Sequence, residues 1–306
     1  MPKKLISGGI IKHIGTLKGS ENATRVIDAT GKYIIPGVID ITNHSDTHWT
    51  IFNYPSQESM LAQGITTIVG GACGSSLAPL TDIRAIRSIQ KWIDISNINI
   101  NWKSLAEFFE EMSKHSLGVN FATLVGHGTL RRDISGDEAR ELTKDELDAM
   151  KLLLRKSLDD GAFGVSFGLA MSHGRTVPQD ELFELSRVVK ESGKIISIHL
   201  RNEGRRLLSS VVEAVSIARS SGAAVHISHF KAIGRKAWHD LQKALLILRK
   251  ARKEEGLDIT VDFFPYVHTG SLLYTLLPEW ILEGGRENIL NVLQNQSKRA
   301  VVLDSI

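Results

Sequence analysis

The chain has 306 residues, 42% of them hydrophobic and 23% charged, with a formal net charge of +3. That composition is ordinary for a soluble globular protein, and so small and dispersed a charge excess gives no reason to expect nucleic acid as a partner. No apolar run reaches the length of a membrane span, MPKKLISGGIIKHIG lacks the apolar core of a signal peptide, and one cysteine, Cys73, cannot form an internal disulfide, so the expected compartment is a reducing cytoplasm.

Residues 1–36 read as short strands and turns, LISGGIIKHIG and then TRVIDATGKYIIPG, with glycines between alternating apolar positions. After Pro36-Gly37 the rhythm changes to apolar strands alternating with helical patterns. Strands are predicted over 34–40 (IIPGVID), 65–70 (ITTIVG), 119–125 (VNFATLV), 163–166 (FGVS), 194–199 (KIISIH), 224–228 (AVHIS) and 259–264 (ITVDFF). Helices are predicted over 144–159, 179–191, 205–220 and 236–255. The first of these carries a capping box, with Thr143 as N-cap and Glu146 three residues on, and it lines up Leu147, Met150, Leu154 and Leu158 on one face. Short, β-branched, nearly unbroken apolar strands are those of a parallel sheet buried on both faces. Their alternation with helices makes residues 37–306 a (β/α)₈ barrel with seven strands in sight and one unit unaccounted for.

In such a barrel the chemistry sits where strands end. His44, Asp46 and His48 follow the first strand, Cys73 the second, His127 the third and Ser166-Phe167-Gly168 the fourth. His199, Arg201, Asn202 and Glu203 follow the fifth, His229 and Lys231 the sixth, and Tyr266 and His268 the seventh. Five of these seven places hold a histidine although the chain has only 11, whereas His13, His115 and His239 read as surface or helix residues and His226 as a mid-strand core histidine. Taken singly, a strand-end histidine is more often a bonded structural group than a ligand, and Cys73 alone could be an inert buried thiol. Taken together they point to Zn²⁺, which accepts a thiolate and neutral imidazoles and is catalytic when three protein ligands leave a position open. Cys73, His199 and His229 supply that set, and the glycines around Cys73 would let backbone approach a metal-sized centre.

Seven stretches, in order, carry a resemblance: VIDATGKYIIPGVID, QGITTIVGGACGSSLAPL, ATLVGHGTLRR, GAFGVSFGL, ISIHLRNEG, ISHFK and DFFPY. They resemble the N-acyl-D-amino-acid deacylases, or D-aminoacylases, a branch of the amidohydrolase superfamily, from the start to about residue 280. The resemblance implies a zinc hydrolase that splits the amide of a small-molecule N-acyl-D-amino acid into a carboxylate and a D-amino acid. It also implies a barrel joined to a small β-sandwich, of which residues 1–36 would be the N-terminal share. In many amidohydrolases a carbamylated lysine after the fourth strand bridges two metals; the resemblance implies that Cys73 replaces it, with His199 and His229 as metal ligands and His44 beside them. It further implies that Lys231 and Tyr266 line the substrate pocket, and Arg201, within the Arg201-Asn202-Glu203 match, joins the substrate-binding candidates.

Two departures stand out. The family's His-x-His after the first strand reads Thr42-Asn43-His44, which weakens a second metal position and leaves His48 or Asp46 to compensate. The family's general base, an aspartate after the eighth strand, has no clear match. Asp304 follows an apolar run in KRAVVLDSI but in a different motif, so the chain is expected to be C-terminally truncated relative to the family, as a fragment, a split gene or an interrupted reading frame, and inactive alone; a separate C-terminal polypeptide, where one exists, would complete the fold. A non-catalytic metal-binding fragment and a cyclic-amide amidohydrolase remain as other classes, the second opposed by Cys73 and by the missing fourth-strand lysine. A redox role for Cys73 lacks a resolving cysteine.

Overall fold

The structure, a computed structural model, describes residues 3–17, 22–81, 94–136, 138, 140–282 and 285–305. Packing divides the chain into two units, Met1–Pro36 and Gly37–Ile306. In the first, β1 (Lys3–Ser7) and β2 (Ile10–Gly15) form an antiparallel hairpin. Gly8 and Gly9 make its two-residue turn with φ of 59° and 74°, values that a side chain would resist. The TRVIDATGKYIIPG stretch differs from its prediction, since no described residue between 22 and 36 is in a strand. Its apolar side chains, Val26, Ile27, Tyr33, Ile34 and Ile35, are exposed, and Asp28 closes a local turn by accepting the N–H and hydroxyl of Thr30.

The second unit is an incomplete parallel barrel. Its strands are β3 (Val38–Asp40), β4 (Ile65–Gly70), β5 (Asn120–Thr123), β6 (Val125–Gly126), β7 (Gly164–Gly168), β8 (Ile195–His199), β9 (Ala224–Phe230) and β10 (Ile259–Phe263). They pair in chain order as β3-β4-β5 and β6-β7-β8-β9-β10, every pairing parallel. β5 and β6 are one stretch interrupted at Leu124, whose N–H still reaches the Gly70 carbonyl at 3.0 Å, so the same segment serves β4 on one side and β7 on the other. The first strand is shorter than predicted because Pro36 has no N–H to give a ladder, and pairing starts with the Val38 N–H on the Gly64 carbonyl at 2.9 Å.

Helices α1 (Leu105–Ser113), α2 (His127–Ser135), α3 (Lys144–Asp159), α4 (Gln179–Glu191), α5 (Leu207–Ser221) and α6 (Trp238–Lys253) lie between the strands in sequence. α3 has the expected capping box, with Glu146 N–H on the Thr143 hydroxyl and Thr143 N–H on the Glu146 carboxylate. One contiguous apolar core runs from Trp49 and Phe108 through Phe167 to Leu185 and Ile227. Among the described residues β3 pairs only with β4 and β10 only with β9, which leaves Ile39 at 56% and Phe263 at 77% exposure.

After β10 the chain forms α7 (Gly285–Gln294) and α8 (Gln296–Ser305), which bury Val292 and Val302 with Ile281 and Leu282 in a small second core. Asp304 therefore sits on a helix and does not end a strand. The apolar run before it buries Val302 and exposes Val301 and Leu303, so its pattern served a helix face. No described helix is long and apolar enough to cross a membrane.

Candidate metal centre

Cys73 stands three residues past β4, with φ of 54°, in the left-handed region that side chains rarely enter. Its loop is pressed onto the ends of neighbouring strands. A Cβ on Gly71 would lie 1.9 Å from the Leu124 carbonyl oxygen, and one on Gly74 would lie 2.7 Å from the Gly168 nitrogen. These glycines thus serve backbone-to-backbone approach rather than the expected approach to an ion. Ser166, at the fourth-strand end, fastens the loop: its hydroxyl accepts the Gly74 N–H at 2.9 Å and donates to the Gly71 carbonyl.

His199 is the last residue of β8. His229 lies in β9 where one extra residue bulges the strand, since Ile227 faces Val261 and Phe230 faces Phe263. The bulge gives His229 a φ of 42° and sends its N–H to the Asp262 carboxylate, whose other oxygen accepts the Thr42 hydroxyl at 2.9 Å. Strained φ values persist where the surroundings over-determine them, and they gather at functional sites.

The three side chains converge. One donor atom from each of Cys73, His199 and His229 lies within 4.8 Å of the others. Cys73 Sγ is 3.3 Å from His229 Nε2, and the two imidazole rings meet edge to face with centroids 4.4 Å apart. Among the described residues the buried His199 Nδ1 has no hydrogen-bond partner, the mark of an atom shaped for something other than a protein group. Burial raises the cost of ionising Cys73, yet the His199, His229 and His44 imidazoles outweigh it and hold the thiol well below its usual range. Burial likewise disfavours the imidazolium of His229, but Cys73 and Glu203 raise it to about 9. A thiolate beside two imidazoles, one with an orphaned nitrogen, fits a zinc ion.

The other candidates divide. His44 reaches the thiolate but lies outside the three-donor group, in the wall of a cavity of about 500 Å³ with His48, Tyr54, Gln57 and Met60. Asp46 is buried and accepts the Gly71 and Thr47 N–H groups at 2.6 and 2.7 Å, so it braces the Cys73 loop, and it lies outside the three-donor group. His127 is fully buried on Glu181 at 2.7 Å, in a network with Arg131. His226 bonds Thr260 at 2.9 Å, as a mid-strand histidine should. Tyr266 is 71% exposed with its ring edge on Phe264, and His268 is exposed.

Arg201, expected among the substrate contacts, instead spends its guanidinium on Glu213 and on the carbonyls of Gly174, Arg175 and Val177. Lys231 does border the cluster, with Nζ 2.7 Å from Glu203 Oε1. Glu203 and Asp262 carry no role that the sequence alone assigns. Each is a lone carboxylate within an otherwise apolar or basic motif, and that oddity was the available signal.

No protein-family model matches the chain. The chain is similar to the D-aminoacylase of Alcaligenes xylosoxydans xylosoxydans, 29% identical over 268 residues that cover 88% of this chain and 54% of that protein. It is 32% identical over 268 residues to the N-acyl-D-glutamate deacylase of the same organism, with the same coverage of 88% and 54%. The chain thus spans about half the length of the curated relatives it matches. Among solved structures it is similar to an N-acyl-D-glutamate deacylase from Bordetella bronchiseptica in complex with zinc and a phosphonate inhibitor that mimics the tetrahedral intermediate. That likeness has a TM-score of 0.77 and 31% identity and covers 87% of this chain and 54% of that one.

Proposed function

The chain is a homologue of the N-acyl-D-amino-acid deacylases of the amidohydrolase superfamily, and from that premise we propose that it holds one zinc ion through Cys73, His199 and His229 and serves the hydrolysis of N-acyl-D-amino acids. The observation that carries this reading is the convergence of the thiol and two imidazoles within 4.8 Å at the ends of three parallel strands. When bound, such an ion supplies Lewis acidity, which activates water near neutral pH and polarises a carbonyl.

The chain's own residues supply the rest. Ser166 and Asp46 hold the Cys73 loop, and the β9 bulge aims His229. Lys231 is the cation beside the cluster that would take the substrate carboxylate, at a cost on the order of 2 kcal/mol or more if truncated in a desolvated site. Thr42 gives its hydroxyl to Asp262, so the first strand offers a single histidine, His44, and the centre is read as a one-metal site. Ser166 as a strut at the fourth-strand end disfavours the cyclic-amide reading. The β1–β2 hairpin is assigned to a small β-sandwich on the resemblance alone.

Metal analysis of the purified 306-residue chain is expected to find about one zinc per chain, lowered more by Cys73→Ser than by His44→Ala. Equal occupancy in the wild type and Cys73→Ser would defeat the metal assignment. Assays on N-acetyl-D- and N-acetyl-L-amino acids then separate the readings: turnover of the D series supports deacylation, zinc without turnover leaves a metal-binding chain, and preference for the L series overturns the substrate class.

A further inference from the structure

The Arg201-Asn202-Glu203 stretch divides its tasks. Arg201 ties the loop after β8 to Glu213 and to the carbonyls at 174, 175 and 177. The Asn202 carboxamide oxygen accepts the Gly204 and Arg206 N–H groups, each at 3.0 Å. Glu203 alone turns toward the cluster. It is 7% exposed, and its Oε1 lies 2.7 Å from Lys231 Nζ and 3.1 Å from His229 Nδ1. Its backbone carbonyl accepts the Ile233 N–H at 2.7 Å, so the loops after β8 and β9 are tied together beside this side chain.

This geometry contains a conflict that Glu203 resolves. Lys231 Nζ also lies 3.0 Å from His229 Nδ1. An ammonium only donates hydrogen bonds. If Lys231 took that contact, Nδ1 would carry the lone pair and Nε2, the nitrogen 3.3 Å from Cys73 Sγ, would carry the proton. A neutral imidazole in that form cannot ligate through Nε2. A carboxylate at Nδ1 demands the other tautomer, with the proton on Nδ1 and the lone pair on Nε2. Lys231 then donates to Glu203 Oε1 and to the His229 carbonyl oxygen, 3.2 Å away, and its third N–H remains for an anion.

Resting on the metal reading above, we propose that Glu203 is the positioning residue of the centre: it selects the His229 tautomer that presents Nε2 to zinc, and it keeps Lys231 off that ring with one N–H left for a substrate carboxylate. Glu203 touches neither the ion nor the substrate and acts through the other two side chains.

Zinc titration of the metal-stripped full chain tests this with five proteins: wild type, Glu203→Gln, Glu203→Ala, Lys231→Met, and the Glu203→Ala/Lys231→Met pair. Glu203→Ala is expected to weaken zinc binding about 10- to 100-fold, the usual effect of losing a partner of a metal-ligating histidine. Glu203→Gln, whose amide oxygen still accepts from Nδ1, is expected to lose less. The discriminating result is the coupling. Lys231→Met should raise zinc affinity more in the Glu203→Ala background than in the wild type, because only there does the ammonium compete for Nδ1. A merely structural role for Glu203 predicts equal gains in both backgrounds, and equal gains would overturn the proposal. So would wild-type affinity in Glu203→Ala. Should the alanine variants fail to fold, wild-type affinity in the near-isosteric Glu203→Gln decides against it and a measurable loss decides for it. A wild type that takes no zinc removes the metal reading and this one with it, whereas zinc bound equally by the wild type and Glu203→Ala removes this one alone.

Discussion

β7 and β10 are each five residues long, GVSFG and ITVDF, and both lie in the same parallel wall. β7 has β6 and β8 as neighbours and is buried at every position. Among the described residues β10 pairs only with β9, and it is exposed at Thr260, Val261 and Phe263. By composition β10 is the more hydrophobic of the two. Burial here is conferred by neighbours and not by the strand's own residues. The candidate centre spans the two conditions. Cys73 and His199 rest on the paired side, where Ser166 and close glycine contacts lock the loop. His229 looks to the open side, where a run of polar links replaces packing: its N–H on Asp262, and Asp262 on the Thr42 hydroxyl. That last bond joins the ends of the first and seventh strands of the wall.

A pair of truncations separates the two strands most strongly. Phe167→Ala, in β7, is expected to cost about 3–5 kcal/mol of stability through lost burial and the cavity left behind. Phe263→Ala, in β10, should stay within about 0.5 kcal/mol, as surface substitutions do. Urea unfolding with unchanged slope measures both, and similar losses would mean that β10 is covered in solution.

Second in size is a pH effect on the paired side. His173 is buried, donates Nε2–H to the Gly136 carbonyl, and is held down to about 3 by burial and by the nearby Arg132 charge. The native state refuses a proton that the unfolded chain accepts near pH 6.5. Stability should therefore fall as pH drops from about 6.5 toward 3, by at most about 1.4 kcal/mol per pH unit from this group, and it gains nothing from it above that window. The difference in unfolding free energy between pH 7 and pH 5 should shrink in His173→Gln; an unchanged difference would take His173 out of the account.

The smallest effect on stability, and the most specific to the open edge, is expected from Val261→Lys. A lysine there should change the folding free energy by less than about 0.5 kcal/mol yet reduce self-association, because a charge on an exposed strand opposes pairing with a second chain. Light scattering across a concentration series reads this, and equal association by the two proteins would show that β10 is not the adhesive edge.

Much of this is legible in the sequence. The strand at Ile65–Gly70 and the helices Lys144–Asp159 and Gln179–Glu191 fall where the pattern put them, because apolar period and caps such as Thr143/Glu146 act within one or two turns of chain. The three donors of the cluster were also legible, since strand ends in a parallel barrel face one rim and zinc narrows the residue types. The second half of the N-terminal segment has a strand-like pattern but forms no strand among the described residues, because alternation cannot say whether a partner edge exists.

The order of strands and helices, and the chemistry offered at each strand end, can be read from the chain alone. How those groups are used emerges only in the fold: Ser166 braces a loop 92 residues earlier in the chain, Arg201 is a strut, Glu203 and Lys231 share the His229 ring, and Cys73 and His229 hold left-handed backbones. The physical reason is range. Periodicity and capping are short-range and leave a mark on neighbouring residues, whereas a hydrogen bond such as Thr42 to Asp262, 220 residues apart, depends on where the whole wall of strands brings its ends together.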